Sequence, residues 1–341
     1  MKYLTTVVIG IAAILLLVAG CDREITGDVL LADNSASCTE CHDPSNLITG
    51  KKVQWEESEH GMGTAYLRGT SRSCAGCHSG NGFAERVAAG LDPNELAAGD
   101  PDPTRQDCRA CHMIHETYTL DDFALRTTSP VTFYADPGVT FNGGEGNLCV
   151  NCHQPRRVIP APVNDTIYGI SSHWGPHHGP QSSMLLGVGG AGVTGTPHGH
   201  YGAVDNTCVD CHMGDGRNHT FEPDTDNCVS CHPDIGNNFD YRGVQTEIIA
   251  LADSLGAGLL ALGLINENSE DGHPIVSQAH QDEAIALWNW IYVAHEDRSN
   301  GVHNYGYAKA LLEEGLTKLG LARSADPNGA PSGKIAVISS H

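Results

Sequence analysis

The chain has 341 residues, 41 acidic and 19 basic, for a net charge of −22. That excess argues against nucleic acid as a partner and toward basic or metal-bearing ones, although most of it is the charge of a solvated surface. Aromatic residues make up 6% of a chain with 40 Gly and 17 Pro, so large side chains are too few for a conventional core and something else is expected to fill the interior.

Residues 1–20 read as an export signal: Lys2 is the positive start, Thr5 to Ala19 are almost wholly apolar, and Gly20 is small. The run is shorter than the roughly 20 apolar residues a membrane span needs. Leu17-Val18-Ala19-Gly20-Cys21 looks like the lipobox of bacterial lipoproteins, which makes Cys21 the expected lipidated first residue and the membrane anchor. Residues 21–37 form a polar tether.

Twelve of the 13 cysteines fall into six frames of one pattern, C-x-x-C-H. They run Cys38, Cys41, His42; Cys74, Cys77, His78; Cys108, Cys111, His112; Cys149, Cys152, His153; Cys208, Cys211, His212; and Cys228, Cys231, His232. Only Cys21 is left over. Two thiols at this spacing reach the two vinyl groups on one haem edge, and the adjacent histidine then lies beneath the iron as its first axial ligand. Zinc sites and disulfides also use paired cysteines, but neither calls for a histidine after every second cysteine. With 19 histidines in 341 residues, finding one in all six frames is not chance, and six c-type haems are expected.

The frames start 36, 34, 41, 59 and 20 residues apart, with no fixed period, so a regular solenoid is not expected. Gly, Pro, Asn and Asp in residues 38–240 point to loops and short helices rather than sheet. Six haems in about 200 residues leave too little polypeptide to insulate them, and those of the last two frames should be neighbours.

Residues 241–322 differ in kind and predict three helices packed on the haem domain. The first carries Val244, Ile248, Leu251, Leu255, Leu259 and Leu262 on one side. The second carries Ala284, Leu287, Trp288, Ile291, Tyr292 and His295, with His280 placed on the same stripe. The third carries Ala308, Leu311, Leu312, Leu316 and Leu319, with Asn304 as N-cap. Residues 323–341 read as a flexible tail. The expected fold is mainly α with extensive loops, filled by haem.

Each iron has a sixth position. Histidine there gives a low-spin electron carrier, and an open position permits substrate chemistry. Six of the thirteen histidines outside the frames are the candidates: His60, His115, His178, His200, His219 and His303, with His177 and His198 as rivals of His178 and His200. His115 lies three residues from His112, too close to loop back to the same iron. Met113 and Met213 follow frame histidines and cannot reach those irons, and Met62 and Met184 read as packing residues.

Trp55 to His60, the CHM and following HTF at Cys211 to Phe221, and the closing GVHN with YAKALL resemble multihaem cytochromes. The relatives are the tetrahaem cytochrome of nitrifying bacteria, the pentahaem nitrite reductases and the octahaem reductases. The resemblance implies stacked bis-histidine haems, a mostly helical fold and electron transfer in the periplasm or at the cell surface. It also implies that His60, His219 and His303 are distal ligands. Nitrite reductases replace one frame histidine by lysine to open that iron, whereas all six frames here end in histidine, so their activity is not carried over.

The expectation is therefore an electron-transfer protein rather than an enzyme, lipid-anchored to the inner or outer membrane. Its partners would be redox proteins, either other cytochromes or a membrane quinol-oxidising complex. Two alternatives stand beside it: a reductase of a small nitrogen or sulfur oxyanion with one open haem, and a subunit of a conducting filament.

Overall fold

The structure, a computed structural model, describes residue 42 and residues 47–177, 179–267 and 272–321. The expected signal, Cys21, the tether, Cys38, Cys41, His178 and the tail lie outside the described residues. In chain order the helices are α1 (Leu47–Glu56), α2 (Glu59–Met62), α3 (Arg72–His78), α4 (Gly80–Ala89), α5 (Cys108–Cys111) and α6 (Asn147–Val150). Then follow α7 (Gln181–Leu186), α8 (Gly199–Ala203), α9 (Cys208–His212), α10 (Val244–Ala261), α11 (Gln281–Trp290) and α12 (Tyr305–Lys318). The fold is mainly α with extensive loops. Four short strands depart from the expectation of no sheet: β1 (Val131–Phe133) pairs with β2 (Asp136–Phe141), and β3 (Thr166–Tyr168) with β4 (Gln278–His280), both antiparallel.

The long helices lie at the C-terminal end, where apolar residues recur at helical spacing. Ile248, Leu251, Leu255 and Leu259 of α10 are buried against α11 and α12, whose Ala284, Leu287, Trp288, Ala308, Leu311, Leu312 and Leu316 complete one core. Leu262, expected on the α10 stripe, falls past the helix end and is 51% exposed. Gly315 lets α12 approach α10, since a Cβ there would lie 2.6 Å from a Leu255 methyl. Asn304 caps α12 as expected, accepting from the Tyr307 N–H. His280 is not a stripe residue: it caps α11 in a capping box with Glu283 and is exposed, because polar capping at the helix start outweighs the apolar period. His295 is half-buried, edge-on to Trp290 at 4.4 Å between ring centres. Met184 is buried as expected, but Met62 is 58% exposed and packs nothing away.

Beyond Trp290 the chain continues as a π-helix, Ile291–Asp297, ended by Arg298 in the left-handed conformation. Such wider turns are rare and frequent at functional sites. Segment 188–196 is laid across these helices by polar ties. Trp288 donates to the Gly189 carbonyl, Asn289 to that of Ala191 and Tyr292 to that of Val188, while Asn304 donates to the Thr196 carbonyl.

Residues 42–240 have no comparable core. Ile167, Ile170, Trp174, Met184 and Ala191 join the C-terminal core, and other buried apolar side chains gather in two small clusters, one around Phe133, Phe141 and Val150, the other around Phe83, Ala110 and Leu148. Order comes instead from capped single turns. Asp107 caps α5, Ser79 caps α4, and the buried Asp122 carboxylate accepts from the backbone of His115, Thr117 and Tyr118.

Candidate haem-binding sites

The second to sixth frames fold as helical or hydrogen-bonded turns. Helices α3 and α9 span the second and fifth frames, and α5 and α6 begin the third and fourth. His112, His153 and His232 each donate their backbone N–H to the carbonyl of the first cysteine of their frame, four residues back, at 2.8, 2.9 and 2.8 Å. Residues at i, i+3 and i+4 share a helical face, so one turn presents two thiols and an imidazole together. None of the ten described frame cysteines is in a disulfide.

Each frame histidine faces one histidine from a distant part of the chain. Ring centres are 6.1 Å apart for His42 and His115, 6.2 Å for His78 and His177, and 6.2 Å for His112 and His219. They are 6.1 Å apart for His153 and His60, 6.2 Å for His212 and His303, and 5.9 Å for His232 and His200. A metal–nitrogen bond of about 2 Å on each side puts two trans imidazole centres about 6 Å apart. The six pairs fit that separation, and a haem would supply the other four nitrogens that two imidazoles lack. By contrast His198 sits 4.5 Å from His200, too close to share a metal, and its ring caps α8 by accepting from the His200 N–H.

Five of the six distal candidates therefore face a frame histidine: His60, His115, His200, His219 and His303. At the remaining position it is His177 that faces His78, from a left-handed backbone (φ 95°). The preferred candidate, His178, lies outside the described residues.

A ring held by Nδ1 leaves its Nε2 lone pair free for metal. The Nδ1–H of His78 donates to Ala65 O at 3.1 Å, that of His112 to Phe123 O at 2.7 Å, and that of His212 to Phe221 O at 2.9 Å. His219 donates to Arg217 O at 2.7 Å, His153 to the Gln181 side-chain oxygen at 2.9 Å, and His303 to the Asp297 carboxylate at 2.7 Å. Burial pulls His60 down to about 4, with a further push from His153, and lowers His78, His153, His200, His212 and His219. Neutral imidazole is the ligating form. His303 is the exception: burial pulls it down, but the charge and hydrogen bond of Asp297 outweigh that, and its pKa is raised.

The frames are packed together. The Cys152 thiol reaches the Cys77 carbonyl at 3.8 Å, and the Cys77 and Cys152 side chains neighbour each other, as do those of Cys149 and Cys208. Cys111 is within electrostatic reach of both Cys149 and Cys152, as Cys228 is of Cys211. The fourth frame thus adjoins the second, third and fifth. Arg86, 2% exposed, ties α4 to the fourth frame by donating to the Asn151 side chain at 2.9 Å. Phe221 joins three more parts: its ring lies between His60 (4.9 Å) and His219 (5.8 Å), and its carbonyl holds His212.

Three residues of the π-helix region and its surroundings were not singled out from sequence. The Glu296 carboxylate accepts from the His177 backbone N–H at 3.1 Å, and burial pushes its pKa up to about 8. Gln181, which holds His153, donates to the carbonyls of Glu296 and Asp297. Asp297 holds His303. One turn therefore touches the surroundings of three histidine pairs. Gln, Glu and Asp at these positions carry no sequence signal: Glu296 is 119 residues from His177, Gln181 is 28 from His153, and Asp297, though only six from His303, gives no sign in the letters that the two side chains meet.

No protein-family model matches the chain, and no curated protein does. Among solved structures it is similar to the outer cell wall cytochrome OcwA, with 25% identity and a TM-score of 0.50 over 79% of this chain and 50% of that one. An undecahaem cytochrome from the S-layer of Carboxydothermus ferrireducens also aligns, at 17% identity and a TM-score of 0.42, over 73% of this chain and 38% of that one. The chain thus spans about half the length of the first and less of the second. Haem-attachment frames, facing histidines and the likeness to OcwA agree: this chain is a multihaem c-type cytochrome.

Proposed function

We propose that the protein is an exported, lipid-anchored hexahaem cytochrome that passes electrons through closely spaced bis-histidine haems to or from another redox protein. The observation that carries this reading is the set of six histidine pairs at 5.9–6.2 Å, each joining a frame histidine to a distal one. Cys38, Cys41, Cys74, Cys77, Cys108, Cys111, Cys149, Cys152, Cys208, Cys211, Cys228 and Cys231 would carry the haems as thioethers. The bound haems supply the one-electron chemistry. The polypeptide orients the imidazoles and tunes each site by what its Nδ1–H meets.

The two alternatives are less well supported. A reductase needs an iron without a protein ligand on its distal side, yet every frame histidine faces another histidine. A filament subunit takes a distal ligand from a neighbouring copy, yet six distal histidines come from within this chain. The resemblance to the nitrifier and nitrite reductase cytochromes favours the first reading too, since His60, His219 and His303, the three it marks, each face a frame histidine.

An extracytoplasmic location is supported by the signal-like residues 1–20 and by the cell-wall setting named for OcwA. Cys21 is the proposed lipid attachment, and either another cytochrome or a membrane quinol-oxidising complex is the proposed partner. The test is a haem count by mass, together with electron paramagnetic resonance, on protein from a cytochrome-maturing host. Six haems, all low-spin, are expected. Fewer haems or a high-spin iron in the native protein would overturn the reading. Cys21→Ala should release the protein from the membrane fraction.

A further inference from the structure

Five of the described frame and distal histidines donate Nδ1–H to a neutral oxygen: backbone carbonyls for His78, His112, His212 and His219, and the Gln181 amide for His153. His303 alone among these donates to a carboxylate, at 2.7 Å. The Asp297 side chain is 0% exposed, so water does not screen that bond. Its other oxygen accepts from the backbone N–H and the hydroxyl of Ser299, at 3.2 and 2.5 Å. All three of these hydrogen bonds come from donors, an arrangement that suits an acceptor-only carboxylate.

From this geometry we propose that Asp297 is a positioning residue that makes the haem between His212 and His303 the lowest-potential member of the set. The inference rests on the bis-histidine reading above. A charged acceptor pulls the imidazole proton toward itself and gives the ring imidazolate character. A more basic ligand stabilises the oxidised, more positive iron over the reduced one. The amide and carbonyl acceptors at the other histidines exert a weaker pull. The fifth frame adjoins the fourth through Cys208 and the sixth through Cys211. Its haem is therefore a step that electrons must climb between those two.

The test is a spectroscopic redox titration of the holoprotein and its Asp297→Asn variant, with haems counted in both. Asparagine keeps the shape and a neutral acceptor. The expected result is six haems in each protein and an upward shift of the lowest wave alone. An unchanged lowest wave, or an equal shift of all six, would overturn the proposal. If Asp297→Asn fails to assemble, Ser299→Ala is the second probe. It removes one donor from the carboxylate, concentrates charge toward His303 and should move the same wave downward. No movement, or an upward one, would count against the proposal. Missing haem or a high-spin iron in the native protein would instead sink the underlying bis-histidine reading and the proposal with it.

Discussion

The two parts of this molecule are held together by different things. Residues 244–318 have what a helical protein ordinarily has: three apolar stripes meeting in one core around Leu255, Leu287, Trp288 and Leu312. Of the described residues before α10, a few such as Ile167, Trp174 and Met184 join that core, and the rest have short capped turns, two small apolar clusters and a dense set of cysteines and histidines facing one another. Side chains cannot supply the second region with the buried apolar area that offsets chain entropy. Haem, a large flat apolar body fastened by two covalent bonds, can. The difference teaches that in this chain cofactor and core are one thing among the haem frames and separate things in the C-terminal helices.

Withholding haem should expose that difference most strongly. In chain made without haem attachment, amide hydrogen exchange should show residues 47–240 losing protection while α10, α11 and α12 keep slowly exchanging amides. Equal protection in both regions would break the comparison. Next in size is the loss of a single ligand. His177→Ala should convert one low-spin iron to high-spin in electron paramagnetic resonance, and His178→Ala should leave all of them low-spin; the reverse pattern would exchange their roles. A third test cuts the helical core alone. Leu255→Ala should cost about 2–5 kcal/mol in denaturant unfolding of α10–α12 while the haem spectrum stays as it was. The smallest effect is at a cap: Asn304→Ala should cost about 1 kcal/mol, read from the same unfolding curve, because Tyr307 loses its acceptor.

Much of this was legible in the sequence, and the reason is local. A C-x-x-C-H frame is a single helical turn, so its chemistry is spelled within five letters. The α10–α12 stripes and the Asn304 cap are likewise matters of nearest neighbours along a helix. What the sequence hid depends on distance. His177 and His178 are adjacent letters, and what distinguishes His177 is a left-handed backbone whose N–H is held by Glu296. His280 fits the apolar period but takes a cap, because the helix start is set by Glu283 three residues on. Strands of three residues, such as β3 and β4, are too short to show alternation. Gln181 and Phe221 act on histidines that only folding brings near, and Asp297, though six residues from His303, gives no sign in the letters that it holds that ring.

The neighbours of the fourth frame have a consequence for traffic. In a single-file relay, one damaged carrier halts everything behind it. Here Cys152 touches the second frame, Cys149 touches the fifth, and the third stands within reach of both. That is a fork with two prongs and one handle. On the proposed electron-transfer reading, loss of one prong would leave the other joined to the handle. The fourth frame, with His153 and His60 facing each other, is the branch point those prongs share.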